Sequence, residues 1–133
     1  DWRNIVNGWE IPSENYCDQP YIVIADDGAW VCAMTTGVGN EGERGQHIIA
    51  SRSVDKGKSW TDPIDIEPSD GPEASYSTLL KAPSGRIYCF YNYNADNIQS
   101  VIADNPPYQD GLCYRVDSLG HFVFKYSDDH VTN

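Results

Sequence analysis

Pro20-Tyr21-Ile22-Val23-Ile24-Ala25-Asp26-Asp27-Gly28-Ala29-Trp30-Val31-Cys32 decides the fold, because the chain carries the same pattern twice. It aligns with Ser77-Thr78-Leu79-Leu80-Lys81-Ala82-Pro83-Ser84-Gly85-Arg86-Ile87-Tyr88-Cys89. Each stretch reads as a strand, a tight turn ending in glycine, and a second strand. Asp27-Gly28 and Ser84-Gly85 supply the positive φ that such a hairpin needs. A third strand follows in each unit: Gln46 to Ser53, around His47-Ile48-Ile49-Ala50, and His121 to Ser127, around Phe122-Val123-Phe124-Lys125-Tyr126. Ile64-Asp65-Ile66, after Pro63, reads as a fourth strand of the first unit. Trp9-Glu10-Ile11 reads as the closing strand of a preceding one.

Helix periodicity is almost absent, so the expected fold class is all-β, built from units of four antiparallel strands. The expected organisation is the end of one unit (residues 1–16), one unit over 17–70, and an incomplete one over 71–133. A lone four-stranded unit cannot bury both of its faces, so such repeats stack. Propellers arrange four to eight of them around a channel. A small independent β-sandwich is the competing reading; it explains the strands and turns but not the repeat.

Ser53-Val54-Asp55-Lys56-Gly57-Lys58-Ser59-Trp60 fits the Asp-box pattern Ser-x-Asp-x-Gly-x-x-Trp at Ser53, Asp55, Gly57 and Trp60. The chemistry of that pattern is structural. Serine and aspartate side chains accept backbone N–H groups and lock the turn after strand three. Glycine takes a left-handed conformation, and tryptophan packs back on the sheet. Ser127-Asp128-Asp129-His130 opens a second, degenerate box at the same point of the second unit, with Ser127 and Asp129 in place and Val131 where glycine belongs. On these residues the chain resembles the sialidase-like (Asp-box, or BNR-repeat) β-propeller superfamily along essentially its whole length. Gly71-Pro72-Glu73-Ala74-Ser75 through Phe90-Tyr91-Asn92 also looks like bacterial sialidase-like proteins. The resemblance implies a six-bladed propeller with a sugar site at the centre of one face, in an extracellular or periplasmic protein.

Topology assigns the loops before that site is sought. In a four-stranded meander, the loops before strand one and between strands two and three share one end, and the Asp-box turns share the other. The first end receives Tyr16-Cys17-Asp18-Gln19, residues 37–46, Glu73-Ala74-Ser75-Tyr76 and residues 92–117. Asp18 and Glu73 are the expected catalytic pair, since each precedes an innermost strand and paired carboxylates supply an acid and a base for glycoside cleavage. Gln19, Arg44, His47, Tyr76, Asn92, Asn94 and Arg115 are the expected substrate-binding residues. Beside each stands a blander reading: capping carboxylates, solvated arginines, a satisfied histidine and a polar loop.

In sialidases an arginine of an Arg-Ile-Pro motif opens an innermost strand, where this chain reads Asp18-Gln19-Pro20. The proline is kept and the arginine is an acid, which would repel sialic acid. The expected activity is therefore hydrolysis of a glycoside other than an ordinary sialoside. Two alternatives differ in class: a non-catalytic carbohydrate-binding or interaction propeller, and a polysaccharide lyase using His47 and Arg44 beside a uronate.

Charge and cysteines bound the partners. Twenty acidic and nine basic side chains give a net charge of −11. Such a surface repels nucleic acid and anionic lipid, so neither is an expected partner. No apolar run approaches the roughly 18–20 residues of a membrane span. Asp1-Trp2-Arg3 lacks the basic and apolar regions of a leader. Cys17, Cys32, Cys89 and Cys113 lack the close pairing of a zinc site, and no metal or cofactor is expected. Cys32 and Cys89 read as small core residues; Cys17 and Cys113 read as loop positions, with a disulfide between them left open.

Overall fold

The computed structural model describes residues 1–132, and within them the chain is all-β apart from a short 3₁₀ turn, Ile5–Asn7. The first sheet is an antiparallel meander of β1 (Tyr16–Ile24), β2 (Trp30–Gly37), β3 (His47–Ser53) and β4 (Ile64–Glu67), in that order. The second is β5 (Ala74–Lys81), β6 (Ile87–Tyr93) and β9 (His121–Ser127), again in meander order. Between β6 and β9 a long loop carries the small ribbon β7 (Val101–Ile102) and β8 (Leu112–Cys113).

The repeat read from sequence is a repeat of geometry. In the first hairpin Ala25 N–H donates to Ala29 O and Gly28 N–H to Ala25 O, both at 2.9 Å. In the second, Ala82 pairs with Arg86 at 2.8 Å and Gly85 with Ala82 at 3.0 Å. Gly28 and Gly85 sit at φ 85° and 89°, where a Cβ would be strained. The first strand of each sheet also carries a bulge at the same place, between Asp18 and Tyr21 in β1 and between Ser75 and Thr78 in β5. A bulge inserts residues against the ladder and re-aims side chains. Here it leaves Gln19 and Tyr76 at φ 50° and 61°.

The two sheets pack face to face through unlike faces. The first contributes Val31, Ala33, Ile48 and Ala50; the second contributes Ala74, Ile87, Cys89 and Tyr91, with Leu79 and Val123 alongside. Polar links seal the seam. Tyr76 N–H donates to Thr35 Oγ1 at 2.9 Å, and Lys125 Nζ reaches Ile66 O at 2.6 Å and Glu67 at 2.8 Å. Tyr91 OH donates to Glu67 at 2.5 Å. On its other face the first sheet buries Cys32, Met34 and Ile49 under Ile11 and Trp60.

The Ser53–Trp60 turn closes as its residues dictate. Ser53 Oγ donates to Asp55 Oδ1 at 2.8 Å and accepts Gly57 N–H at 2.8 Å, while Asp55 accepts Ser59 N–H at 2.9 Å and Ser59 Oγ at 2.6 Å. These bonds, led by the one from the Ser59 hydroxyl, hold the Asp55 carboxyl down at about 2. The Ser127 turn repeats the arrangement: Ser127 Oγ bonds Asp129 at 2.6 Å and accepts Val131 N–H at 2.9 Å. Val131 therefore stands at φ 58° in the place of Gly57.

Trp9-Glu10-Ile11 is paired with no strand among the described residues. One expectation is corrected: Cys17 and Cys113 lie in β1 and β8 rather than in loops, and all four cysteines are free thiols. Cys32 and Cys89 are buried, as their strands suggested.

Candidate functional site

The end of the sheets opposite the Ser53–Trp60 turn gathers the long loops, and one carboxylate there is unusual. Glu73 precedes β5 and is 5% exposed, yet neither carboxylate oxygen has a hydrogen-bond partner. Backbone bonds on both sides fix it: Ala74 N–H donates to Gln46 O at 3.1 Å, and Asn94 N–H donates to Glu73 O at 2.9 Å. Burial first, then repulsion from Asp117, pushes its pKa up to about 7, against a partial pull from Arg44. Glu73 is one of the residues lining a cavity of about 320 Å³, with Arg44, Ser69, Gly71, Asn97 and Gln99, and its two carboxylate oxygens are themselves buried. A carboxyl group with its proton available near neutrality and no competing partner is equipped to donate that proton to a ligand.

Beside it lies a second, tightly bonded group. Asp117 is buried and accepts Tyr76 OH at 2.6 Å; Arg115 Nε donates to its other oxygen at 3.1 Å. Arg115 also bridges to Glu41 at 2.6 Å. Burial works to raise the Asp117 pKa, but the Arg115 and Tyr76 bonds outweigh it and hold the carboxyl below the usual range. Tyr76 is shifted the other way, by burial and by its bond to Asp117, so its hydroxyl stays protonated at neutral pH. Arg115, Asp117 and Tyr76 thus form an ion-paired wall whose charge acts on Glu73. The bulge in β5 turns Tyr76 to this wall.

The structure redistributes the expected site residues. Glu73, Arg44, Tyr76 and Arg115 belong to this region. Asp18 accepts the Tyr16 hydroxyl at 3.3 Å, and the charges that act on Glu73 are Asp117 and Arg44. The register of the repeat places them differently. Asp18 matches Ser75, Gln19 matches Tyr76, and Glu73 matches Tyr16. Asp18 and Glu73 are therefore not equivalent positions of the repeat. Tyr16, at Glu73's counterpart, is pushed up to about 12 by burial and by the nearby Asp18 and Glu41.

Other expected ligand contacts are structural. His47 is buried, with Nδ1 2.8 Å from Gly45 O and Nε2 3.8 Å from Asp65, and it lines a separate cavity of about 580 Å³ with Glu10, Glu14 and Thr36. Asn92 turns its amide so that nitrogen donates to Leu119 O and Asp117 O at 2.7 and 3.1 Å. Asn94 closes its own turn, bonding Ile98 O at 2.8 Å and Ile98 N–H at 3.2 Å. Gln19 is exposed. Asp117 was missed among the carboxylates singled out; its signal was Arg115-Val116-Asp117, an alternating pattern that sets cation and acid on one side of a buried valine. Among the described residues no cluster of His, Cys, Asp and Glu is arranged to hold a metal ion.

No protein-family model matches the chain, and no curated protein matches it either. Among solved structures, the chain is similar to a protein of unknown function from Dyadobacter fermentans DSM 18053, at 19% identity and a TM-score of 0.60. The match covers 86% of this chain and 34% of that one, so the chain spans about a third of the length of its structural neighbour.

Proposed function

We propose that this chain is part of a sialidase-like β-propeller acting on glycosides, with Glu73 as the proton donor to the leaving oxygen. The carrying observation is Glu73 itself: a buried carboxyl group with both oxygens unpartnered, raised to about 7, lining a polar cavity. A structural acid would have taken a partner, because an unsatisfied buried polar group costs about 1–3 kcal/mol. Raised carboxylic acids of this kind serve glycosidases as general acids. Arg44, Asn97 and Gln99 offer donors to sugar hydroxyls around it, and the Tyr76–Asp117–Arg115 wall fixes its electrostatic setting.

The propeller part of the reading rests on the unlike-face packing of two sheets that repeat in register, which is how such units stack in succession. With Tyr76 held as a neutral phenol, the geometry favours an acid on this chain over a nucleophile on it. The test is a panel of neutral and acidic glycosides assayed with Glu73→Gln and Asp117→Asn beside the wild type. Glu73→Gln should lower turnover by about 10²–10⁴-fold with KM little changed. Wild-type turnover should fall as pH rises through about 7, where Glu73 loses its proton. Hydrolysis unaffected by Glu73→Gln would overturn the assignment; ligand binding without turnover in the wild type would move the chain to the carbohydrate-binding class.

A further inference from the structure

Glu73 lines its cavity, yet both of its carboxylate oxygens are sealed within the fold of this chain. The seal matters, because an acid that no ligand oxygen can touch cannot hand over its proton. Residues 115–120, between β8 and β9, pack on the end of β6 beside it. Val116 and Asp117 are 2% and 3% exposed. The Asn92 amide donates to Leu119 O at 2.7 Å and to Asp117 O at 3.1 Å. Gly120 stands so close to β6 that a Cβ there would meet Tyr93 O at 2.0 Å. Asn92 lies opposite Ser75 in the ladder, and Asn94 holds the Glu73 carbonyl through its own N–H at 2.9 Å. Glu73 and this strap therefore share one buried layer with Ser75, whose hydroxyl is likewise sealed and unpartnered.

Side-chain bonds clasp the strap at its start. Arg115 reaches Glu41, in the loop between β2 and β3, at 2.6 Å, and its stem lies on Gly42, where a Cβ would meet Arg115 Cγ at 2.6 Å. Gly42 N–H donates in turn to the buried Gln46 side chain at 2.7 Å. Asp117 accepts Tyr76 OH at 2.6 Å and Arg115 Nε at 3.1 Å. Every one of these partners lies within residues 41–120, so the closure depends on neither end of the chain. The outer bond is weak, since Arg115 and Glu41 are both about half exposed. One charge works against the clasp. The charged groups that act on Glu73 are Asp117, from the strap, and Arg44, from the loop between β2 and β3; Tyr76 of β5 stays a neutral phenol, and Arg115 is shared by Glu41 and Asp117. With the strap closed, an ionised Glu73 faces Asp117 and has no donor on either oxygen. Moving the strap brings water to it and relieves both costs.

We infer that residues 115–120 are a strap that gates Glu73, and that ionisation of Glu73 drives the strap open. Closed, it shields the protonated acid; open, it admits water or a ligand oxygen and separates Glu73 from Asp117. The two events are linked, so the open fraction rises with pH while Glu73 loses its proton and levels beyond. A ligand that bonds to Glu73 opens the strap by the same linkage. The meaning of the gate for catalysis rests on Glu73 being the acid proposed above; the motion itself rests on the sealed oxygens and the clasp.

The experiment is amide hydrogen exchange on the full-length protein, followed on residues 115–120 and, for reference, on β2 and β6, with protection corrected for the intrinsic rise of exchange with pH. Glu73 ionises at about 7 when closed in and near 4.5 when released to water. Protection of the strap should therefore fall by on the order of 10²-fold between those values and stay level beyond, while β2 and β6 keep theirs. In Glu73→Gln the strap should hold one protection throughout. That variant retains His47, His121 and His130, so a fall caused by a histidine would persist in it. Glu41→Ala should lower strap protection about two- to fivefold at every pH and keep the slope. Glu41 is exposed, so this variant reports on the clasp even where Glu73→Gln folds poorly. Strap protection that ignores pH, that falls equally in Glu73→Gln, that ignores Glu41→Ala, or that falls together with β2 and β6 would each overturn the gate. Turnover is not the readout, so the two readings fail separately. A strap that opens as expected beside hydrolysis indifferent to Glu73→Gln sinks the acid and leaves the gate; the reverse result sinks the gate alone.

Discussion

The two sheets present matched faces to opposite fates. Val31, Ala33 and Ile48 are 0% exposed and Ala50 1%, sealed under the second sheet, while their counterparts Tyr88, Phe90, Phe122 and Phe124 form an open aromatic surface. Side-chain size follows the same division. Alanines at two of the buried positions let two backbones approach closely, whereas rings at the open positions build a thick layer. Local strand geometry is the same in both, down to the bulge and the hairpin bonds. What differs is the size of the side chains on the face and what lies against it. A repeat therefore fixes the ladder of each unit, and the neighbour fixes its stability.

The largest effect that would break this comparison is a charge placed at one matched pair. Ala50→Asp buries a carboxylate in the seam and should cost upward of about 3 kcal/mol, enough to unfold most of the chain. Phe124→Asp should cost within about 1 kcal/mol, losing ring contacts to Tyr88 and Phe90 while its charge stays in water. Denaturant melts of the two variants check it. Equal losses would mean that the aromatic face is covered within one chain.

The strands of the two meanders, both hairpins and the serine-aspartate turns were legible because their causes are local: alternation, glycine at positive φ, and side chains that cap their own turn; the ribbon of β7 and β8 was read as loop. Residues 121–127 were read to the residue. The acid pair followed from reading Asp18 and Glu73 each as simply preceding a strand. The alignment of Pro20 with Ser77 already sets Asp18 beside Ser75 and Glu73 beside Tyr16, and the matched bulges keep that register. Asp117 reaches Glu73 only through the long loop between β6 and β9, whose path no periodicity announces. His47, Asn92 and Asn94 carried ligand chemistry in their side chains, but the folded chain uses it on its own backbone.

A middle-sized effect sharpens the contrast between Glu73 and its counterpart Tyr16. Glu73 ionises at about 7 in the folded chain and near 4.5 when unfolded. Between those values the unfolded state has given up a proton that the folded state keeps. Stability therefore falls as pH rises from about 4.5 to about 7, and is level beyond. The loss is on the order of 3 kcal/mol across that window. Glu73→Gln should flatten that segment of the stability–pH curve and leave the variant more stable than wild type at pH 8. A wild-type curve that rises through this window would show that Glu73 has found a partner.

The smallest effect concerns the two turns after the third strands, which differ at one position. Gly57 sits at φ 83° with the ring of Trp30 3.1 Å from where a Cβ would stand, so a side chain there is strained and presses on that ring. Val131, its counterpart, sits at φ 58°, a conformation that costs an ordinary L-residue about 1–2 kcal/mol and a β-branched one no less. Against that cost, Val131 is partly buried on the clusters formed by Val31, Ile87 and Cys89, worth roughly 1–2 kcal/mol for a valine only partly removed from water. Glycine also gives up about 0.5–1 kcal/mol through its freer unfolded chain. The terms nearly cancel. Val131→Gly should destabilise by less than about 1 kcal/mol, well below the loss expected when a valine is deleted from unstrained core. A thermal melt lowered by the equivalent of more than about 2 kcal/mol would show that the turn carries no strain. The second turn would then keep its shape without the glycine that the first one carries.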